Sequence, residues 1–219
     1  MLAVLFNVWC KQTLSIDEGE WMAMDGKGIK STLTGGNSSY QNFVTMVSVY
    51  SHHHGWVVRH QVMENKQKSE VEVVQDIVQE LSGNKVVITL DALHCQKKTL
   101  ALIINCGNDY IVTLKKNQLN LFKAAKKLVS SAVATDEYEV SECVHGRTTT
   151  RHTKIDPIPP QLLPLWRSAK HIIVVRRSGT RWEGKKSRRH LINFDEVHYY
   201  LSSRDWSASQ FAEAIRGTG

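Results

Sequence analysis

The 219-residue chain is 42% hydrophobic and 22% charged, the proportions of a soluble globular protein with room for one domain or a domain carrying an insertion. No apolar run approaches the roughly 20 residues that span a bilayer, and the apolar start at residues 1–6 lacks a basic flank and breaks at Asn7, so neither membrane anchor nor secretory leader is expected. Cys10, Cys95, Cys106 and Cys143 fall at no paired spacing, so neither a zinc site nor a disulfide framework is indicated and a reducing cytoplasm fits best.

Residues 20–25 read as a first strand and Gly35-Gly36-Asn37-Ser38-Ser39 as a loop. Two β-rich runs, 43–50 and 55–63, flank Ser51-His52-His53-His54 and suggest a hairpin. Ser69 with Glu72 three residues later forms a capping box. Behind it Val71, Val74, Ile77, Val78 and Leu81 recur at helical spacing. Gly83-Asn84 ends that helix, and residues 85–90 form a short apolar strand of the buried parallel kind. A helix at 96–106, a strand at 110–114 and a helix at 117–130 follow. This order fits an α/β fold with a ribonuclease H-like mixed sheet, whose first and fourth strands lie side by side. The second half is β-rich, with strands at 137–144, 148–155, 170–177 and 189–202. Pro157, Pro159, Pro160 and Pro164 interrupt it, residues 179–187 form a basic turn, and a last helix runs 207–216 from a cap at Ser207.

Two aspartates carry the chemistry. Asp25 closes the run Trp21-Met22-Ala23-Met24 and precedes Gly26-Lys27; Asp91 closes Val86-Val87-Ile88-Thr89-Leu90 and precedes Ala92-Leu93-His94. Carboxylates at strand ends present hard oxygen donors from a rigid support, the arrangement that holds divalent cations for phosphate chemistry. A lone strand-terminal aspartate serves equally as a turn or cap residue; adjacency of the two strands favours the metal. Lys27, Lys97 and Lys98 are placed to meet a phosphate beside those acids, and solvated lysines fit as well. His94 fits either substrate contact or packing at a helix start. The three consecutive histidines 52–54 point in different directions and make no ligand set, and Gly26-Lys27-Gly28 lacks the spacing of a phosphate-binding loop.

Between His145 and His190 stand twelve basic residues against Asp156 and Glu183, a balance of +10 in a chain whose total is +7. Arg147, Arg151, Arg176, Arg177, Lys185, Lys186, Arg188 and Arg189 are the candidate phosphate contacts, since each cation near a nucleic-acid backbone releases condensed counterions. Charge alone separates neither DNA from RNA nor a ligand footprint from a solvated basic surface.

Six segments in order resemble the DDE transposases of bacterial insertion sequences of the H-repeat-associated type. They are Ala23-Met24-Asp25-Gly26-Lys27; Thr89-Leu90-Asp91-Ala92-Leu93-His94-Cys95-Gln96-Lys97; Gly107-Asn108-Asp109-Tyr110 with Leu114-Lys115-Lys116-Asn117-Gln118; His145-Gly146-Arg147 with Arg151; Val197-His198-Tyr199-Tyr200-Leu201-Ser202-Ser203; and Ala214-Ile215-Arg216-Gly217. The resemblance implies a catalytic domain that cuts and joins DNA at element ends with magnesium (or manganese), with Asp25 and Asp91 as first and second catalytic acids. It also implies association with a second copy or with a full-length transposase.

The resemblance further implies a third acid, in a His-Trp-Gly-Ile-Glu-Asn continuation after Arg216-Gly217; here Thr218-Gly219 follow. Thr149 stands where the family has a glutamate and Lys116 where it has a glycine. Glu213, the sole acid of the last helix, precedes Arg216 and should face elsewhere. The expectation is a fragment truncated at both ends: 1–19 the remnant of an N-terminal segment, 20–130 the catalytic core, 131–205 a basic β-rich insertion and 206–219 a shortened final helix. Such a chain is expected to be inactive by itself, the alternatives being a DNA-binding remnant without catalysis or a pseudogene product.

Overall fold

In the computed structural model, which describes residues 2–34, 42–64, 69–130, 134–144, 147–184 and 190–216, contacts divide the chain into two units, Met1–Val112 and Thr113–Gly219. The first holds α1 (Leu2–Thr13), β1 (Trp21–Thr34), β2 (Asn42–Ser51), β3 (Trp56–Glu64), α2 (Glu70–Glu80), β4 (Val87–Leu90), a 3₁₀ turn (Ala92–His94), α3 (Lys97–Asn105) and β5 (Asp109–Thr113). Its strands lie in the order β3-β2-β1-β4-β5. β1, β2 and β3 run antiparallel in succession, while β4 is parallel to both β1 and β5. This is a mixed sheet with the first and fourth strands adjacent, as the element order predicts.

The local chemistry explains the elements. All four residues of β4 are buried, as expected of a parallel strand covered on both faces. At the start of α2 the Ser69 hydroxyl accepts from the Glu72 backbone N–H while Glu72 Oε2 accepts from Ser69 N at 2.8 Å, so the capping box is complete. Val73, Val74, Ile77 and Val78 are its buried face, and Gln75 Nε2 donates to Thr99 Oγ1 at 2.9 Å, tying α2 to α3.

Two features of this unit depart from the sequence reading. β1 does not stop at residue 25; it continues to Thr34 because antiparallel pairing with β2 extends well beyond its pairing with β4. Residues 2–13 within the 1–19 segment form a helix, anchored by two hydrogen bonds between the Asn7 side chain and the His60 backbone (2.7 and 2.9 Å). Val4, Leu5, Val8 and Trp9 are exposed on it, so no inward apolar stripe announces the helix. The 35–39 loop lies outside the described residues.

The second unit holds a 3₁₀ turn (Lys116–Gln118), α4 (Leu119–Ser130), β6 (Asp136–Val144), β7 (Arg147–Pro157), β8 (His171–Glu183), β9 (His190–Ser202) and α5 (Ala208–Arg216). Its strands are antiparallel in the order β9-β8-β7-β6. Ile172, Ile173, Val174 and Val175 are buried in succession on β8, with α4 against that strand and α5 against β6 and β7. β8 and β9 stay paired from His171↔Ser202 to Glu183↔His190, so most of the expected 179–187 turn is strand, and 185–189 lie outside the described residues. Contact places α4 in this second unit through its packing on β8, whereas the sequence boundaries group it with residues 20–130. No helix among the described residues is long and apolar enough to cross a membrane.

Candidate two-carboxylate site

The site begins with strand register. β1 and β4 pair as Trp21↔Val87, Met22↔Ile88 and Ala23↔Thr89, an offset of 66 residues that, carried two positions on, sets Asp25 level with Asp91. Adjacent strands lie about 4.8 Å apart, so residues 66 apart in sequence become neighbours. The parallel ladder between β1 and β4 ends two residues earlier, at Ala23↔Thr89, and both aspartates are exposed. Asp91 keeps an extended backbone (φ −75°, ψ 177°) and caps the 3₁₀ turn, its Oδ1 accepting from Leu93 N at 2.9 Å. Asp25 is therefore not strand-terminal, although it occupies the level at which its parallel neighbour ends.

A second layer lies behind Asp91. His94, whose side chain is only 1% exposed, places Nε2 3.2 Å from Glu70 Oε1 and 3.9 Å from Asp91 Oδ1. A carboxylate only accepts, so Nε2–H is the donor to Glu70. Glu70 belongs to the first turn of α2, and its carboxylate fills the space where a Cβ on Gly26 would stand. Side chains alternate along a strand, so Glu70 meets β1 on the face opposite Asp25. Glu70 is absent from the sequence reading of the site; its signal there is only that of a helix start, because its approach to Gly26 depends on how α2 packs.

The lysines fall where the elements carry them. Lys27 is exposed on β1, on the same face as Asp25, and Lys97 and Lys98 are exposed at the start of α3. Among the described residues, no group of three or more His, Cys, Asp or Glu side chains could hold a metal ion. In the histidine run, His54 stacks on Trp56 (centroids 5.6 Å apart), His53 meets the His54 ring edge-on, and His52 meets Tyr50 edge-on.

Several basic residues of the second unit pair with acids from other elements. Arg176 binds Asp195 through two bonds, Nε to Oδ1 at 2.9 Å and Nη2 to Oδ2 at 2.6 Å. Those bonds raise the arginine's pKa and hold the Asp195 carboxyl below its ordinary range. Arg151 Nη1 donates to Glu142 Oε2 at 2.9 Å, and Arg216 Nη1 lies 2.6 Å from the other oxygen of Glu142. Arg147 is exposed and, with Glu142, Val144, Thr149 and Arg151, lines a cavity of about 360 Å³. Arg177 is half-buried, with its Nε atom buried and unpartnered among the described residues. Lys185, Lys186, Arg188 and Arg189 lie outside the described residues. Since Glu142 and Asp195 fall outside the 145–190 window, the sequence balance overstates the free charge there. Even so the second unit carries nineteen basic and ten acidic residues (+9), against nine and eleven (−2) in the first.

The fold is a mixed α/β one, with Asp25 on β1 and Asp91 directly after β4. Comparison with known proteins gives the kinship. The chain is 29% identical over 219 residues to "Putative transposase YncI" of Escherichia coli O157:H7, covering 97% of this chain and 54% of that protein. It is 31% identical over 163 residues to the protein of the same name in strain K12, covering 73% and 64%. It is 27% identical over 218 residues to "H repeat-associated putative transposase YhhI" of strain K12, covering 96% and 56%. The chain is thus a homologue of transposases of the H repeat-associated kind, and it spans little more than half the length of the first two of these that align end to end with it. No family model matches. Among solved structures, a Ciona intestinalis endonuclease V in complex with DNA aligns over 96% of this chain and 85% of that one, at 10% identity and a TM-score of 0.33, too slight a likeness to carry an argument.

Proposed function

We propose that the chain carries the catalytic core of a DDE-type DNA transposase, a ribonuclease H-like domain in which Asp25 and Asp91 hold magnesium or manganese for DNA strand cleavage and transfer. The observation that carries this reading is the parallel pairing of β1 with β4, whose register brings the two aspartates level. The donor set suits the cation: exposed carboxylate oxygens are the hard ligands that divalent magnesium and manganese prefer. When bound, a pair of such ions activates an attacking oxygen and stabilises a leaving one at a phosphate. Within the chain, Leu93 N–H fixes the Asp91 carboxylate, Lys27 offers a cation on the Asp25 face, and the +9 second unit supplies phosphate contacts for DNA such as insertion-sequence ends. A second copy, or a full-length transposase, is the protein partner this reading implies.

Residues 1–219 contain two of the three acids that the resemblance implies. A missing ligand leaves one ion poorly held, at a cost on the order of a thousandfold in rate. The 219-residue polypeptide by itself is therefore proposed to bind DNA without cutting it. The test incubates the purified chain with element-end DNA and magnesium or manganese, beside Asp25→Ala and Asp91→Ala. Manganese binding lost in both variants, with no nicking by any of the three, supports the reading. Nicking that survives Asp91→Ala would place the chemistry elsewhere, and cation binding indifferent to both substitutions would remove the site.

A further inference from the structure

We infer that Glu70 and His94 are positioning residues of the Asp25–Asp91 site, forming a buried brace that holds Asp91 and its turn against β1. The inference rests on the metal-site reading above and names residues to which that reading gives no role.

Three segments far apart in sequence are linked through Glu70, whose carboxylate meets β1 at Gly26 and the His94 ring of the turn that Asp91 caps. His94 belongs to the 3₁₀ turn that Asp91 caps, so its ring moves with the carboxylate it supports. Its Nε2–H donates to Glu70 Oε1 at 3.2 Å and lies 3.9 Å from Asp91 Oδ1. Glu70, 26% exposed, begins α2 and rests its carboxylate on β1 at Gly26, the residue next to Asp25. The absence of a side chain at Gly26 is what admits the carboxylate there. The chain of contacts thus runs from β1 through Glu70 and His94 to Asp91, linking the two strands whose aspartates form the site.

The geometry separates support from ligation. Glu70 approaches β1 from the face opposite Asp25, so it cannot join Asp25 around one ion without leaving its seat. The brace also carries a cost that packing alone does not explain: His94 Nδ1 is buried without a hydrogen-bond partner among the described residues. A buried polar atom left unpaired is destabilising, and in native structures such atoms concentrate where a side chain serves some other purpose. An apolar side chain of similar size would fill the volume without that cost, yet it would leave the Glu70 carboxylate without this partner and untie the turn that Asp91 caps from α2. Outer contacts that orient a metal ligand, here by fixing the turn that carries Asp91, set metal affinity by about 10–100-fold.

The experiment titrates manganese into the full 219-residue chain and follows free ion by electron paramagnetic resonance, with thermal unfolding of each variant in parallel. Wild type should bind, and Asp25→Ala and Asp91→Ala should abolish binding. Glu70→Ala and His94→Leu should each weaken binding by about tenfold or more, while His94→Gln, whose amide still donates to Glu70, should stay within about threefold of wild type. Should His94→Leu fail to fold, Glu70→Ala decides, since Glu70 is partly exposed and the Ser69–Glu72 capping box keeps α2 in place. Wild-type affinity in both Glu70→Ala and His94→Leu overturns the brace and leaves the two-carboxylate reading standing. Equal losses in His94→Gln and His94→Leu also overturn it, by showing that ring volume rather than the donated hydrogen bond matters. No binding by wild type overturns the site itself and the brace with it.

Discussion

Asp195 and Cys95 show how much a single side chain owes to its surroundings. The Asp195 carboxyl is held down first by the hydrogen bond from Arg176, so its charged form is favoured in the folded chain. A carboxyl lowered on folding adds stability above its ordinary pKa of 3.8 and loses it as pH falls through the lowered folded value. Carboxyl chemical shifts followed by NMR between pH 5 and pH 2, roughly the range over which such groups titrate, should show Asp195 titrating below the ordinary value. Arg176→Gln should bring it back; an unchanged midpoint would contradict the pair. The pair is exposed, so salt should weaken it. The Cys95 thiol is pushed up to about 12 by burial, and Cys10 is also raised, whereas Cys143 is exposed. Only thiolates attack. Brief labelling of the native chain with a thiol reagent, read by mass spectrometry, should therefore modify Cys143 and spare Cys95; equal labelling would show that the first unit is not packed as described.

Among the elements, β7 and β8 offer the sharpest test, because their close approach depends on one residue. Gly179 adopts φ 153°, and a Cβ built there would run into the Thr148 carbonyl oxygen, a backbone atom that cannot rotate away. Gly179→Ala should therefore destabilise the chain by about 2–3 kcal/mol, the scale of enforced backbone strain. Urea unfolding measures it, and a loss under about 0.5 kcal/mol, typical of an unconstrained surface position, would mean that the strands are not in this register. The contrast with Gly26 is instructive. There the atom in the way is the end of a flexible glutamate, which can swing aside at the expense of its contact with His94.

For the whole molecule, charge is the property that reaches furthest. With +9 in the second unit and −2 in the first, association with duplex DNA should be weak, largely indifferent to sequence, and steeply dependent on salt. Neutralising Arg176, Arg177, Lys185, Lys186, Arg188 and Arg189 together should remove most of it. Arg176→Gln alone should change little, because that charge already faces Asp195. Fluorescence anisotropy across a salt series decides both; an affinity independent of salt, or one surviving the sixfold replacement, would rule out backbone contacts as its source.

The capping box at Ser69, the fully apolar β4 and the β2–β3 hairpin were legible because each is written in residues adjacent along the chain. The adjacency of β1 and β4 was legible at one remove, since the order of elements implied that the first and fourth strands lie side by side. α1 was not legible: its outward face is as apolar as its inward one, and what holds it is a pair of bonds from Asn7 to a strand more than fifty residues away. The true length of β1 followed from its antiparallel partner rather than from its own residues. Likewise a count along residues 145–190 could not see Asp195 and Glu142, which neutralise Arg176 and Arg151 from strands outside that window. Sequence by itself determined which residues can bear charge, cap a helix or fill a core. Tertiary structure alone decided that Glu70 reaches Gly26 and that His94 stands between two carboxylates, because such contacts depend on how helix and turn pack against the sheet.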